Sequence, residues 1–338
     1  MIIVLKPHIT AAQEKAVTRE IRKLGYKPHI MRGVEHVVIG AIGDERTHQS
    51  LEVLATWPQV ERVMPVQKRF KLVSREAHPR NSEVRVGKNV VLGGARFHVM
   101  AGPCSVESEK QLLTTAEAVA KAGATVLRGG AFKPRTSPYE FQGLGLKGLK
   151  LLAKARKETG LPVITELLSE HHAEMVAEYA DILQIGTRNA QNFQLLIAAA
   201  KTGKPVLLKR GLAMKIEEWL LAGEYILANE NPNLLFCERG IRTFETYTRN
   251  TLDLAAIPII KQESHCPVVI DPSQGAGRAD LVAAMCKGAA AMGADALLIE
   301  VHPNPTEAWS DGAQQLSLDR FAQLMQELRP FIAAAGRT

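Results

Sequence analysis

From residue 97 onward one pattern recurs eight times: a short apolar segment, a glycine or polar break, then a stretch with helical spacing. The segments are FHVMAG, TVLRGG, LPVITE, DILQIG, PVLLKRG, NLLFCERG, PVVIDPS and DALLIEV. Helical periodicity lies between them in Gln111–Ala122, Gly148–Thr159, His171–Tyr179, Asn192–Ala200, Ile216–Ala228 and Leu281–Met292. Strands that alternate with helices predict a parallel sheet with right-handed crossovers. Eight of them predict closure into a (β/α)8, or TIM, barrel over residues 97–338. A doubly wound sheet is the alternative, but it usually opens on a Gly-rich phosphate turn, and no G-x-G-x-x-G follows a first strand here.

Such a barrel uses about 250 residues, and the chain has 338. Residues 1–70 read as a separate βαββαβ unit, a small ferredoxin-like α+β domain. Its parts are a strand at Ile2–Leu5, a helix at Ala11–Leu24 and a hairpin of Lys27–Met31 with Val37–Ile42 through Arg32, Gly33 and Val34. A helix at Thr47–Thr56 and a strand at Val60–Val66 complete it. A regulatory role for it rests on analogy with amino-acid-sensing modules. Residues 71–96 read as a linker, polar at REAHPRNSE, followed by a hairpin of Val84–Val86 and Val90–Leu92 suited to plugging the barrel bottom.

Composition removes several classes of function. The net charge is +7, but the basic residues are scattered, with no Lys/Arg block or aromatic-interleaved stripe. That argues against nucleic acid and for a pocket that takes small anions. No apolar run approaches the roughly 18 residues needed to cross a bilayer, and MIIVLKPHIT lacks the basic start of a secretory signal. Four cysteines without a C-x-x-C pair fit a reducing compartment, so a cytoplasmic protein is expected.

In a (β/α)8 barrel the chemistry sits at the C-terminal ends of the strands. Reading just past each apolar segment gives Cys104, Arg128, Glu166, Arg188, Lys209, Arg239, Asp271 and Glu300. Every strand thus delivers an ionisable or ligating residue to one rim. Arg128, Arg188, Lys209 and Arg239, with Lys133 and Arg135 from the loop after the second strand, make one side cationic. Guanidinium forks match phosphate and carboxylate oxygens, so the substrate is expected to carry more than one anionic group. The seventh, eighth and first strands are neighbours in a closed barrel. They bring Cys104, Asp271, Gln274 and Glu300 together, with Asp311 in the next loop, in the pattern of a divalent-metal site. His302, two residues past Glu300, is open between metal ligand, general acid/base and hydrogen-bonded loop residue.

Seven motifs then become specific: GPCSVES (102–108), KPRTSPYEFQGLG (133–145), QIGTRNAQNF (184–193), LLKRG (207–211), CERGIRTFETYTRNTLDL (237–254), IDPSQGAGR (270–278) and EVHPNPTEAWSDG (300–312). In this order they resemble the 3-deoxy-D-arabino-heptulosonate 7-phosphate (DAHP) synthases, over about residues 84–332. The N-terminal unit is similar to the feedback-inhibition domain of one subgroup. The resemblance implies an aldol-type condensation of phosphoenolpyruvate with erythrose 4-phosphate. Phosphoenolpyruvate would be held by Arg128, Lys133, Glu166, Gly186, Thr187, Arg188, Lys209 and Arg239. Erythrose 4-phosphate would use Lys133, Pro134, Arg135, Thr136, Ser137 and Asp271. A divalent ion (Mn2+, Co2+, Fe2+ or Zn2+) would be bound by Cys104, Gln274, Glu300 and Asp311, with Lys133, Cys104 and His302 in the catalytic roles. An aromatic amino acid effector and a homotetramer are further implications.

The sister family that uses arabinose 5-phosphate shares fold and reaction, but its loop after the second strand is KANRSS-like where this chain has KPRTS. The family's DPSH motif is DPSQ here, so Gln274 stands where the family has a histidine ligand. An amide carbonyl is a weaker, neutral donor, and looser metal binding is expected. A Schiff-base aldolase using Lys209 and a catalytically silent sensor barrel are the alternatives from other classes.

Overall fold

The computed structural model describes all of the chain except residues 34–35, 44–47 and 65–68. Met1–Arg69 and Phe70–Thr338 form two compact units.

In the first unit β1 (Ile2–Leu5), β2 (Lys27–Arg32), β3 (Val37–Ile42) and β4 (Val60–Met64) form an antiparallel sheet in the order β2-β3-β1-β4. The order is ferredoxin-like. The helix Ala11–Lys23 starts where Thr10 and Gln13 form a capping box, and it buries Val17 and Ile21 against Ile3, Leu5 and Ile39. The second helix departs from expectation. It is a 3-10 helix, Leu51–Thr56, too short for an α-helix over Thr47–Thr56. Thr47 lies outside the described residues, as do Val34 of the expected hairpin turn and the Val66 end of the last strand.

The second unit is the barrel. Its strands are β7 (His98–Gly102), β8 (Val126–Arg128), β9 (Val163–Leu167), β10 (Ile182–Ile185), β11 (Val206–Lys209), β12 (Leu234–Glu238), β13 (Val268–Ile270) and β14 (Ala296–Glu300). All pair in parallel, and β14 closes the circle on β7 in the register Ala296↔His98 to Glu300↔Gly102. The short hairpin β5 (Val84–Val86) and β6 (Val90–Leu92) puts Val84, Val86, Val90 and Leu92 in one cluster with Met100, Ile164, Leu207 and Leu298 of the barrel interior. The backbone leading to it is fixed as well. The Glu224 carboxylate accepts the N–H groups of Lys71, Leu72 and Val73 at 3.0, 2.7 and 3.0 Å. One end of the barrel is thereby filled with apolar side chains, which leaves the C-terminal strand ends as the open rim. Among the described residues no helix is long and apolar enough to cross a membrane.

Candidate active site

The rim encloses a cavity of about 400 Å³, within the usual range for small-molecule sites. Its wall carries Lys133, Arg135, Arg188, Lys209, Arg239, Arg242 and Arg249, against Glu140, Glu166 and Asp311. Cations this dense repel one another until anions complete the set.

On the β11–β13 side, Lys209 Nζ donates to Asp271 Oδ2 at 2.6 Å and to Gln274 Oε1 at 3.2 Å. Arg239 donates to the same Gln274 oxygen through Nε and Nη2, both at 3.2 Å. Burial lowers the pKa of the Arg239 guanidinium, the response of a cation short of negative charge. Asp271 caps the short helix Pro272–Ala276 by accepting the Gln274 N–H at 2.9 Å. This carboxylate is fully buried, with one oxygen on Lys209 and the other on the cap. Asp271 therefore orients Lys209 and starts the helix; it was expected to meet the aldose, and it is not among the residues lining the cavity.

On the β9–β10 side, Gly186 is required by its neighbour, because a Cβ there would lie 1.9 Å from Glu166 Oε1. The Glu166 carboxylate therefore lies directly on the chain that turns into Thr187 and Arg188. Arg188 Nη2 donates to Thr136 Oγ1 at 3.3 Å, tying the KPRTS loop to the β10 rim. Arg135 makes two bonds to Glu140, at 3.2 and 2.8 Å. Pro134 and Thr136 line the cavity. Ser137 does not. Its backbone N–H donates to Glu140 and its hydroxyl accepts from the Tyr139 N–H, which makes it part of the turn beneath.

On the β14–β7 side, Gly102 lets two backbones meet, since a Cβ would stand 2.1 Å from the Arg128 carbonyl oxygen. The chain then turns to bury Cys104. Ligand atoms of Cys104, Glu300 and Asp311 all lie within 4.8 Å of one another. The Cys104 thiol donates to Asp311 Oδ2 at 3.4 Å, and Lys133 Nζ donates to Cys104 Sγ and to its carbonyl oxygen, both at 3.1 Å. Burial, with Glu300 second, pushes the thiol up to about 12 against the pull of Lys133. Burial would raise the Glu300 carboxyl too, but Arg128 and Lys133 outweigh it and hold it below its ordinary value. Asp311 follows the same logic, with Arg249 and Lys133 overcoming burial. Among the described residues Asp311 is also one of the few non-glycine positions at positive φ, 49°, and such strain concentrates at functional positions. One thiol and two ionised carboxylates at this spacing suit a divalent cation.

Three expected site residues are engaged by neighbouring protein groups. Arg128 is 4% exposed and outside the cavity wall; its Nη1 donates to Glu300 Oε1 at 2.7 Å, while Nε has no partner. Its observed partner is thus Glu300 of the metal-ligand group. His302 is buried with both ring nitrogens engaged. Nδ1 accepts the Asn304 N–H at 3.1 Å, so Nε2 carries the proton toward Glu107 at 3.2 Å. Glu107 also accepts the Trp309 N–H. His302 thus fastens the loop after β14 to the loop after β7, an arrangement that suits the hydrogen-bonded loop reading among those left open. Gln274 lines the cavity, but its oxygen faces Lys209 and Arg239. Conversely, Arg242 and Arg249 join the wall unforeseen. Arg249 Nη1 reaches Asp311 Oδ1 at 3.2 Å and Gln314 Oε1 at 3.1 Å. Both arginines lie inside the CERGIRTFETYTRNT motif, which was the signal available.

Residues 73–334 match the DAHP synthetase I family, and residues 1–68 match the DAHP synthase ferredoxin-like domain. The chain is 49% identical over 336 residues, 99% of each chain, to the phospho-2-dehydro-3-deoxyheptonate aldolase of Thermotoga maritima. It is 32% identical over 270 residues to the 2-dehydro-3-deoxyphosphooctonate aldolase of Caulobacter vibrioides, covering 74% of this chain and 91% of the other. The crystal structure of the Thermotoga maritima enzyme superposes with a TM-score of 0.94 at 48% identity, covering 100% of this chain and 98% of that one. A truncated form of the Thermotoga maritima synthase gives a TM-score of 0.75 at 50% identity over 80% of this chain and 98% of its own. Fold, rim chemistry and similarity along nearly the whole length agree, and the chain belongs to the DAHP synthetase I family.

Proposed function

We propose that this chain condenses phosphoenolpyruvate with D-erythrose 4-phosphate and water, giving 3-deoxy-D-arabino-heptulosonate 7-phosphate and phosphate, the first step of the shikimate route to aromatic amino acids. The observation that carries the proposal is the cation-lined cavity beside the Cys104, Glu300 and Asp311 group. A Schiff-base role for Lys209 fits poorly, because its amine is already bonded to Asp271 at 2.6 Å and to Gln274 at 3.2 Å.

In this reading Arg188, Lys209 and Arg239, with Glu166 and the Gly186–Thr187 backbone, hold phosphoenolpyruvate. Arg135 and Thr136, next to Pro134 and Lys133, take the aldose phosphate, which replaces Glu140 on Arg135. C3 of the enol attacks the aldehyde carbon, and Lys133 gives the new alkoxide a proton. The positive character left at C2 is quenched by water, and phosphate leaves by C–O cleavage. The cations neutralise both phosphates and the carboxylate and hold the reacting carbons near attack distance. A divalent ion (Mn2+, Co2+, Fe2+ or Zn2+) on Cys104, Glu300 and Asp311 supplies electrophilic polarisation of the aldehyde when bound.

Two results are expected. Loss of the enol absorbance should be much faster with erythrose 4-phosphate than with arabinose 5-phosphate. The Arg188–Thr136 bond fixes the depth of the phosphate subsite, and an extra carbon displaces the aldehyde by more than 1 Å, roughly a hundredfold in rate. Equal rates, or a preference for the pentose, would overturn the choice of aldose. The 49% identity to the heptonate enzyme, against 32% to the octonate one, supports the four-carbon sugar. This reading also carries an aromatic amino acid effector and a homotetramer. Deleting residues 1–69 should leave an active barrel that tyrosine or phenylalanine no longer inhibits, whereas inhibition that survives the deletion would place the effector site elsewhere.

A further inference from the structure

Gln274 was expected among the metal ligands, and its surroundings point elsewhere. Its side-chain oxygen meets three N–H groups from two cations, Lys209 Nζ, Arg239 Nε and Arg239 Nη2, each at 3.2 Å. Turning the amide over would aim its NH2 group at those donors, so the network fixes which atom is the oxygen. A carbonyl oxygen has two lone pairs, and both are already engaged. A divalent ion approaching that oxygen would also meet two positive charges at close range. The backbone restrains the residue as well: its N–H is capped by Asp271 at 2.9 Å, and its carbonyl accepts Asn250 Nδ2 at 2.9 Å. Ser273, the preceding residue, accepts the Glu300 N–H at 3.0 Å, which fixes the segment against β14.

We propose that Gln274 belongs to the anion subsite, where its amide oxygen bridges Lys209 and Arg239 until an anionic group of the substrate displaces it. The divalent ion is then left with three protein ligands, Cys104, Glu300 and Asp311. The inference rests on the anion-binding role given above to Lys209 and Arg239. A neutral acceptor suits a subsite that must be both held together and emptied. It keeps the two cations aligned in the free protein, yet an incoming phosphate or carboxylate, with full negative charge, outcompetes it. A carboxylate at the same position would be a permanent competitor, and an apolar side chain would leave the cations unbridged.

The test uses the full-length protein, with inorganic phosphate and Co2+ as separate probes. In metal-free protein, Gln274→Leu should bind phosphate more tightly, by about threefold to tenfold, because the internal competitor is gone. Gln274→Glu, which keeps the shape and the acceptor, should bind it at least about tenfold more weakly. Co2+ affinity, read from the thiolate-to-metal absorption band of Cys104, should change by less than about threefold in Gln274→Leu. A Co2+ affinity that falls tenfold or more would restore Gln274 as a ligand and overturn the inference. So would phosphate affinity that stays the same or weakens in the Leu variant, or that stays the same or tightens in the Glu variant. Failure of the wild type to bind phosphate at all would instead overturn the anion-site reading on which the inference rests.

Discussion

Replacing Lys133 with methionine is expected to lower kcat by about three orders of magnitude, the middle of the range for loss of a positioned general acid, while phosphoenolpyruvate still binds. The residue is nearly buried, 6% exposed, yet it lines the cavity, and its amine sits 3.1 Å from both Cys104 Sγ and the Cys104 carbonyl oxygen. Burial works against its charge, but Cys104, Glu166 and Glu300 outweigh it and hold the amine above the ordinary lysine value. The amine is therefore charged at neutral pH, with a proton to give at the junction of the two proposed substrate subsites. Arginine should not rescue it. A guanidinium does not give up its proton near neutral pH, and its planar fork does not reproduce the amine's two contacts to Cys104. Single-turnover rates with saturating substrates, set beside an equilibrium measurement of phosphoenolpyruvate binding, separate the two effects. A kcat within tenfold of wild type would remove Lys133 from the proton transfer.

Much of the barrel was legible because parallel strands covered on both faces must be apolar throughout. All five residues of β14 are buried, as are all five of β12. Such runs stand out from their helices without any alternation to find. The short helix Pro272–Ala276 was not legible. Its sequence, PSQGA, reads as punctuation because of Pro and Gly, yet proline at the first helical position and Asp271 as the cap are helix-starting features. The 3-10 helix Leu51–Thr56 was over-read as α, since six residues give periodicity too little length to separate the two.

In the site, the strand-end rule found where charge accumulates but not which way each group faces. Arg188, Lys209 and Arg239 reach the cavity, whereas Arg128 and Asp271, at equivalent strand ends, do not. The difference is a partner distant in sequence: Glu300 for Arg128 and Lys209 for Asp271. A buried ion pair needs a geometry that strand position alone does not specify. Arg242 and Arg249 escaped for the opposite reason. They sit in mid-loop with no periodicity, placed by bonds to residues distant in sequence, such as Arg242 N–H to the Leu212 carbonyl and Arg249 to Asp311 and Gln314.

Exhaustive chelation is expected to cost about two orders of magnitude in rate, the scale of a few kcal/mol of lost charge stabilisation, and added Mn2+ or Co2+ should restore it. Cys104→Ala should bind every metal more weakly and recover little. The three donor groups explain why. With no ion bound, the Cys104 thiol at about 12 stays protonated, and the two carboxylates lean on borrowed cations, Arg128 for Glu300 and Arg249 for Asp311. Each of those cations touches one carboxylate only, and the thiol itself donates to Asp311. A divalent ion can instead contact all three at once, so a thiolate and two carboxylates share one charge centre. Alanine removes the sulfur while leaving the carboxylates, which should shift selectivity away from Zn2+ and Co2+ toward ions that accept an all-oxygen set. Metal titrations into both proteins, followed by calorimetry and by turnover, give affinity and function separately. Full activity in the chelated wild type would mean that Cys104, Glu300 and Asp311 work through hydrogen bonds to Lys133, Arg128 and Arg249, and that the group is part of the acid-transfer network instead of a metal site.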